Sequence, residues 1–209
     1  EPLGAPFVVM EWVDAPHMGA APDASFAAFT AMVARIHSLD WQALGLGFLG
    51  VPGSVSAAIH GEIDLVAARM PGFGCDDDPL LTAALASLRA AVPADGRIAL
   101  CQGDINVFNY LFRHGEVVSV VDWEQARISD PRSDIGQLLA LSNLKGAPFT
   151  PADRMPFALA CSAAAGHDVS GLEFFRAFWF FQLAVIYHGW RRFNGGSEPW
   201  YTRAQVEDL

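Results

Sequence analysis

Gln102-Gly103-Asp104-Ile105-Asn106-Val107-Phe108-Asn109 is followed, beyond a turn signal at His114-Gly115, by Val120-Val121-Asp122-Trp123-Glu124 and then by Asp130-Pro131-Arg132-Ser133-Asp134. Asp104, Asn109 and Asp122 interrupt otherwise apolar surroundings, and Asn109 stands five residues after Asp104. Hard divalent cations such as magnesium take oxygen ligands, often one or two carboxylates together with substrate phosphates. Phosphoryl transfer asks for one carboxylate that orients or deprotonates an acceptor hydroxyl, and for an amide and a second carboxylate that hold metal on the phosphates. An Asp, an Asn five positions on, a hairpin and a further Asp meet that requirement in order and in spacing. The plainer reading, a cluster of turn and cap residues, is outweighed by the flanking motifs.

Outward from this segment the pattern is mainly helical. Ile98 to Cys101 reads as a short strand, and the runs Val107 to Phe112 and Glu116 to Val121 read as a hairpin joined near His114-Gly115. Asp134 to Leu144 and Pro151 to Ala165 read as helices. Ser170 is expected to cap a long aromatic helix that Asn194-Gly195-Gly196 stops near Phe193. Upstream, Pro6 to Val13 reads as a strand ended by Asp14-Ala15-Pro16. Asp23 or Ser25 caps a helix to about Ser38, with Phe26, Phe29, Val33 and Ile36 on one face. Leu44 to Ser54 is a glycine-rich connector, Ser54 to Arg69 a helix closed by Pro71-Gly72, and Asp78-Pro79 the start of a helix presenting Leu81, Leu85 and Leu88. The fold class is mainly α with a small β-hairpin segment.

The quoted motifs resemble those of the aminoglycoside phosphotransferase and choline kinase-like family, which has the protein-kinase-like fold. The family pattern His-Gly-Asp-x-x-x-x-Asn, then Asp-Trp-Glu, then Asp-Pro-x-x-Asp is met here by Gln102-Gly103-Asp104 with Asn109, by Asp122-Trp123-Glu124, and by Asp130-Pro131 with Asp134. The resemblance implies a catalytic base at Asp104, magnesium ligands at Asn109 and Asp122, and structural support of the site from Asp134 and Gln102. It also implies that residues 1–14 are the last strand of an N-terminal lobe and its hinge. ATP, the co-substrate, would meet the backbone of Met10, Glu11 and Trp12 and the side chain of Leu111. Residues 15–209 would be a helical C-terminal lobe carrying the catalytic loop (101–112) and the metal-binding segment (116–134). Ile36-His37-Ser38-Leu39-Asp40 is similar to the end of a helix of that lobe.

The sequence departs from the family pattern in two places. Gln102 stands where the motif has His, and Gln both donates and accepts hydrogen bonds, so a supporting role survives the exchange. The second departure is larger. A kinase-like site needs a strand lysine, a helix glutamate and a loop over the phosphates. All of these lie before the hinge, whereas the sole lysine here is Lys145. The expectation is therefore an ATP-dependent kinase of a small-molecule hydroxyl, present as its C-terminal lobe with the N-terminal lobe absent, and inactive alone. A non-catalytic kinase-like binding module is the alternative. A metal-dependent hydrolase built on Asp104 and Asp122 lacks a second ligand cluster.

Composition bounds these readings. The 209 residues are 52% hydrophobic and only 17% charged, against a usual charged share of about 25%, so the chain is built to bury a core. Thirteen Lys and Arg against 23 Asp and Glu give 13 − 23 = −10. That argues against a nucleic-acid or anionic-membrane partner and tilts slightly towards a cationic acceptor. Cys75, Cys101 and Cys161 are an odd set without a C-x-x-C pair, which fits buried thiols in a reducing, cytoplasmic setting. Phe174 to Tyr187 is the most apolar long window, but Arg176 and Gln182 interrupt it, so a buried helix is expected and not a membrane span.

Several features are decoys. Gly45-Leu46-Gly47-Phe48-Leu49-Gly50 matches a dinucleotide-loop pattern but follows a helix and precedes Val51-Pro52-Gly53, the wrong context. Asp76-Asp77-Asp78 reads as a solvated loop ending in a cap. The six histidines show no ligand spacing, and Ser162 and Ser170 lack a nucleophile-elbow setting.

Overall fold

The computed structural model describes residues 9–21, 23–142, 144, 154–166 and 168–207. Helix α1 spans Phe26–His37, α2 Val55–Ala67, α3 Met70–Phe73, α4 Pro79–Ala90, α5 Arg132–Leu141, α6 Arg154–Ala165, α7 Leu172–Phe193 and α8 Arg203–Glu207. Strands β1 (Ala99–Cys101), β2 (Tyr110–Arg113), β3 (Glu116–Val120) and β4 (Arg127–Ser129) lie between α4 and α5 in the chain. Short 3-10 turns occupy Leu46–Leu49 and Val107–Asn109. Among the described residues no helix is long and apolar enough to cross a membrane.

The strands form two antiparallel pairs. The hairpin β2–β3 turns at His114 (φ 55) and Gly115 (φ 77), the two left-handed residues that a tight hairpin turn with strand-matching twist requires. The second pair joins β1 to β4, with Leu100 opposite Ile128. Sequence reading located β1 but not its partner, because a three-residue strand after a loop carries too short an alternation to register. β4 matters for the site: it brings Arg127 and Ser129 back beside the loop that leaves β1.

Two apolar clusters carry the molecule. In one, Phe29 and Val33 of α1 meet Tyr110, Phe112, Ile135, Leu138 and Phe157 beneath the strands. In the other, Ile59, Ile63, Leu81 and Leu88 pack on Phe175, Phe178 and Phe181 of α7. The two are welded where α5 crosses α7. A Cβ at Gly136 would stand 2.6 Å from the Cβ of Phe175, so this contact admits glycine alone. All three cysteines are buried and unbonded to one another.

Three local expectations are corrected. The strand expected over 6–13 is irregular at 9–13, residues 6–8 lying outside the described set. Val9, Met10 and Trp12 are 85%, 77% and 86% exposed, for want of a ladder partner among the described residues. Pairing begins later: Phe112 N donates to Pro16 O at 2.8 Å, and His17 bridges Leu111. Ser170 does not cap α7. Gly171, in the left-handed conformation (φ 70), leads into the helix, while the Ser170 hydroxyl donates to Asp168. Pro71 and Gly72 do not close α2 but lie within α3, which ends at left-handed Gly74.

Candidate active site

The loop 102–109 leaves β1 with its polar atoms in need of partners, because it runs over a buried floor. That floor is Asp134, in the first turn of α5 and fully buried. Its Oδ2 accepts from His37 Nε2 at 3.0 Å and from the Gln102 backbone N at 2.9 Å, and its Oδ1 accepts from the Gly103 backbone N at 3.0 Å. Burial pushes the Asp134 carboxyl up, but the His37 hydrogen bond and charge, the Arg127 guanidinium and the Gln102 amide outweigh it and hold it below its ordinary value. Arg127 Nε lies 2.8 Å from Glu62 Oε2, and Glu62 also accepts from the hydroxyls of Ser129 and Ser133. Helix α2, strand β4 and helix α5 are tied at one buried point.

Gln102 joins this floor to the segment above it. Its Nε2 donates to Val121 O at 3.2 Å and Asp122 O at 2.7 Å, and its Oε1 accepts from Asp104 N at 2.9 Å. The side chain thus uses both a donor and an acceptor, the property that distinguishes Gln and neutral His from Lys or Glu. Asp122 sits at φ 62, an uncommon conformation for a residue with a Cβ. The bond from Gln102 to its carbonyl helps hold it there. Gly103 (φ +87) is tightly enclosed: a Cβ would fall 2.0 Å from the Gln125 carbonyl oxygen.

Asp104 stands above the floor, half-buried. Oδ2 accepts from Asn109 Nδ2 at 3.0 Å, Oδ1 accepts from Gln137 Nε2, and Asn109 Nδ2 also donates to the Asp104 carbonyl at 2.9 Å. Burial pushes the Asp104 carboxyl up. The Gln137 and Asn109 hydrogen bonds pull the other way, and the charges of Asp122 and Asp134 add to the rise. With Nδ2 committed to Asp104, Asn109 has its Oδ1 left for another partner. The exposed Asp122 carboxylate has no partner among the described residues. One amide oxygen and one free carboxylate form a donor set that suits a hard divalent cation.

The structure brings Gln102, Asp104, Asn109, Asp122 and Asp134 into one network. It leaves Met10, Glu11 and Trp12 in the exposed segment, joined to that network by no side-chain hydrogen bond among the described residues. Leu111 is half-buried on β2 beside His17. Gln137 was missed by sequence reading, although its place three residues after Asp134 on one helix face was a usable signal. The Glu62–Arg127 tie carries no local signal, since its partners are far apart in the chain. His37, Cys101 and Asp134 place three ligand-type atoms within 4.8 Å. Both Asp134 oxygens already accept hydrogen bonds and burial pushes the Cys101 thiol well up, so this cluster supports the loop.

A helical body with such a loop between two small antiparallel pairs defines a class, the phosphotransferases of protein-kinase-like fold. The chain belongs to the phosphotransferase enzyme family, whose sequence model matches residues 1–178. A Ralstonia eutropha protein assigned to the aminoglycoside phosphotransferases superposes with a TM-score of 0.69 at 22% identity, over 97% of this chain and 66% of that one. Macrolide 2'-phosphotransferase MphH from Brachybacterium faecium superposes with a TM-score of 0.58 at 19% identity, over 90% of this chain and 60% of that one. The GDP and kanamycin complex of APH(2")-IIia gives 0.53 at 20% identity, over 92% and 63%. Acyl-CoA dehydrogenase family member 10 of Mus musculus is 26% identical over 212 residues, 90% of this chain but 20% of that protein. The chain therefore spans a fifth of its mouse relative and less than two thirds of these solved structures.

Proposed function

We propose that this chain carries the acceptor-activating and metal-binding half of an ATP-dependent kinase acting on a hydroxyl of a small molecule. The observation that carries the reading is the Asp104 carboxylate, held by Asn109 and Gln137 and lying within reach of the charge of Asp122. Each Asp104 oxygen accepts one hydrogen bond and keeps a lone pair, so the carboxylate can orient an acceptor hydroxyl. As the acceptor oxygen bonds to the γ-phosphorus and the bond to the ADP oxygen breaks, the hydroxyl proton passes to Asp104. A carboxyl raised by burial is better suited to take that proton than a solvated one. Asn109 Oδ1 and the Asp122 carboxylate would hold magnesium, which neutralises charge on the phosphates. Asp134 and Gln102 act only through the loop, by fixing the backbone at residues 102–104.

Adenine would lie against the backbone of Met10 to Trp12 and the side chain of Leu111. The lysine, glutamate and loop that hold ATP phosphates are not among these residues, so residues 1–209 alone are expected to bind Mg-ATP weakly and to transfer no phosphoryl group. The kinase-like lobe would then act with an N-terminal lobe. The test compares a form that includes such a lobe with residues 1–209, by ATP consumption across a library of hydroxyl compounds and by calorimetric titration of Mg-ATP. Turnover that collapses in Asp104→Ala with nucleotide affinity retained supports the base. Undiminished turnover in that variant removes it. Micromolar Mg-ATP affinity in residues 1–209 refutes the half-site.

A further inference from the structure

We infer that Arg127 is a positioning residue for the catalytic loop: its guanidinium fixes the Asp104 segment against the Asp122 segment where the β1–β4 ladder runs out. The inference rests on the phosphotransferase reading above. It adds a residue that lies outside the motifs marking the site and that the reading places on neither acceptor nor metal.

The ladder of β1 and β4 ends with Cys101 opposite Arg127. Beyond that rung β1 runs on into Gln102, Gly103 and Asp104, while β4, traced backwards, leads through Ala126 and Gln125 to Asp122. The two segments that carry the site carboxylates therefore meet just past the regular pairing. There Gly103 packs on the Gln125 carbonyl, and a Cβ on it would also stand 2.6 Å from Arg127 Nη1. Nη1 donates to that same carbonyl at 3.2 Å. Nη2 donates to Ser133 Oγ at 2.9 Å and lies 4.0 Å from Asp134 Oδ1, the oxygen that accepts from the Gly103 amide. Nε lies 2.8 Å from Glu62 Oε2, to which the Ser133 hydroxyl also donates. One guanidinium thus engages both segments: the Gln125 carbonyl of one, and the carboxylate that anchors Gly103 of the other.

Stability alone does not account for this arrangement. A buried ion pair is often no better than apolar side chains of similar volume, and α2 already presses Ile59, Ile63 and Val66 into the core. An apolar side chain in place of Arg127 could weld α2 to β4, but it would leave the Gln125 carbonyl and the Ser133 hydroxyl undirected. A planar fork of N–H donors serves all three directions, which the point charge of a lysine ammonium does not. The fork is itself held still, since the Arg127 side chain is 18% exposed and its charged neighbours Glu62 and Asp134 are buried. Misplacing a reacting group by about 1 Å can cost about a hundredfold in rate. A residue that sets the spacing of Asp104 and Asp122 therefore acts on turnover without touching the reactants.

Two variants test this. Arg127→Lys keeps the charge beside Glu62 and loses the fork. Arg127→Met combined with Glu62→Gln removes both charges, so that no buried charge is stranded. In residues 1–209, the amides of Gln102 and Gly103, which Asp134 accepts, should exchange hydrogen at least about tenfold faster in both variants, while those in the middle of α7 keep their wild-type rates. In a form with an N-terminal lobe, kcat on any hydroxyl compound that the wild type phosphorylates should fall at least about tenfold, with KM for ATP within about twofold. Wild-type exchange at Gln102 and Gly103 in either variant overturns the inference. So does equal acceleration in α7, which would make Arg127 a general brace, and so does full turnover in Arg127→Lys. The two readings fail separately. If no form phosphorylates any hydroxyl compound, the kinase falls and exchange at Gly103 still decides the positioning role. If turnover is present and neither variant lowers it, the positioning role falls and the kinase stands.

Discussion

The floor of the site and its rim are built from the same residue type with opposite results. Asp134 in the floor is sealed from water, yet one histidine, one arginine and two backbone amides hold its carboxyl below the ordinary value. Asp104 at the rim is less buried, yet its carboxyl is pushed above it, because its hydrogen bonds come from neutral amides and its charged neighbours are the like charges of Asp122 and Asp134. Burial disfavours the charged form in both places, and the partners decide the sign. A carboxylate built as an anchor is surrounded by cations and fixed amides; one that can exchange a proton is left short of positive charge.

The floor should break first and hardest. Asp134→Ala takes away the buried carboxylate that accepts from His37 Nε2 and from the backbone amides of Gln102 and Gly103. A loss of about 3–5 kcal/mol, the cost of stripping one partner from a buried charged pair, is expected in urea unfolding; a loss below about 1 kcal/mol, the scale of an ordinary hydrogen bond, would dismiss the anchor.

Acid sharpens the contrast. Asp134 has a depressed folded pKa, so its stabilisation is present above the unfolded carboxylate value of about 3.9 and is lost as the pH falls through the lower folded value. Asp104 has a raised one, so it weakens the fold at neutral pH and that penalty shrinks as the pH falls through its folded value. Measured stability should therefore drop steeply below about pH 4 in the wild type. In Asp134→Asn it should drop less, from a lower starting level.

At the rim two substitutions should move Asp104 in opposite directions at modest cost to stability. Gln137→Leu removes a hydrogen bond that favours the carboxylate, so the Asp104 carboxyl should titrate higher. Asp122→Asn removes a like charge, so it should titrate lower. Carboxyl-carbon NMR in metal-free buffer reads both shifts, and movement in one direction for both variants would contradict the assignment of partners. The smallest effect belongs to the exposed segment. Trp12→Ala should change the stability of residues 1–209 by less than about 0.5 kcal/mol, as for surface sites generally. A larger loss in thermal unfolding would mean that residues 9–13 pack on the body after all.

Much of this site was legible in the chain, because its determinants are local. The Asp104–Asn109 spacing, the His114-Gly115 turn and the caps at Ser25 and Asp78 act within a few residues, so order and residue type suffice to read them. Helix α7 was readable from its apolar run, although the residue that enters it was not. Gly171 and Ser170 compete for that position, and backbone conformation decides between them.

What the sequence alone determined is thus the longer helices, the hairpin and the order of polar residues that marks the phosphotransferase family. Only the tertiary structure decided that β4 pairs with β1, that Gln137 clamps Asp104, and that Glu62 reaches Arg127. These are contacts between segments far apart in the chain. Their energy comes from desolvation and pairing, which exist only after distant surfaces have met, so no short window of sequence encodes them.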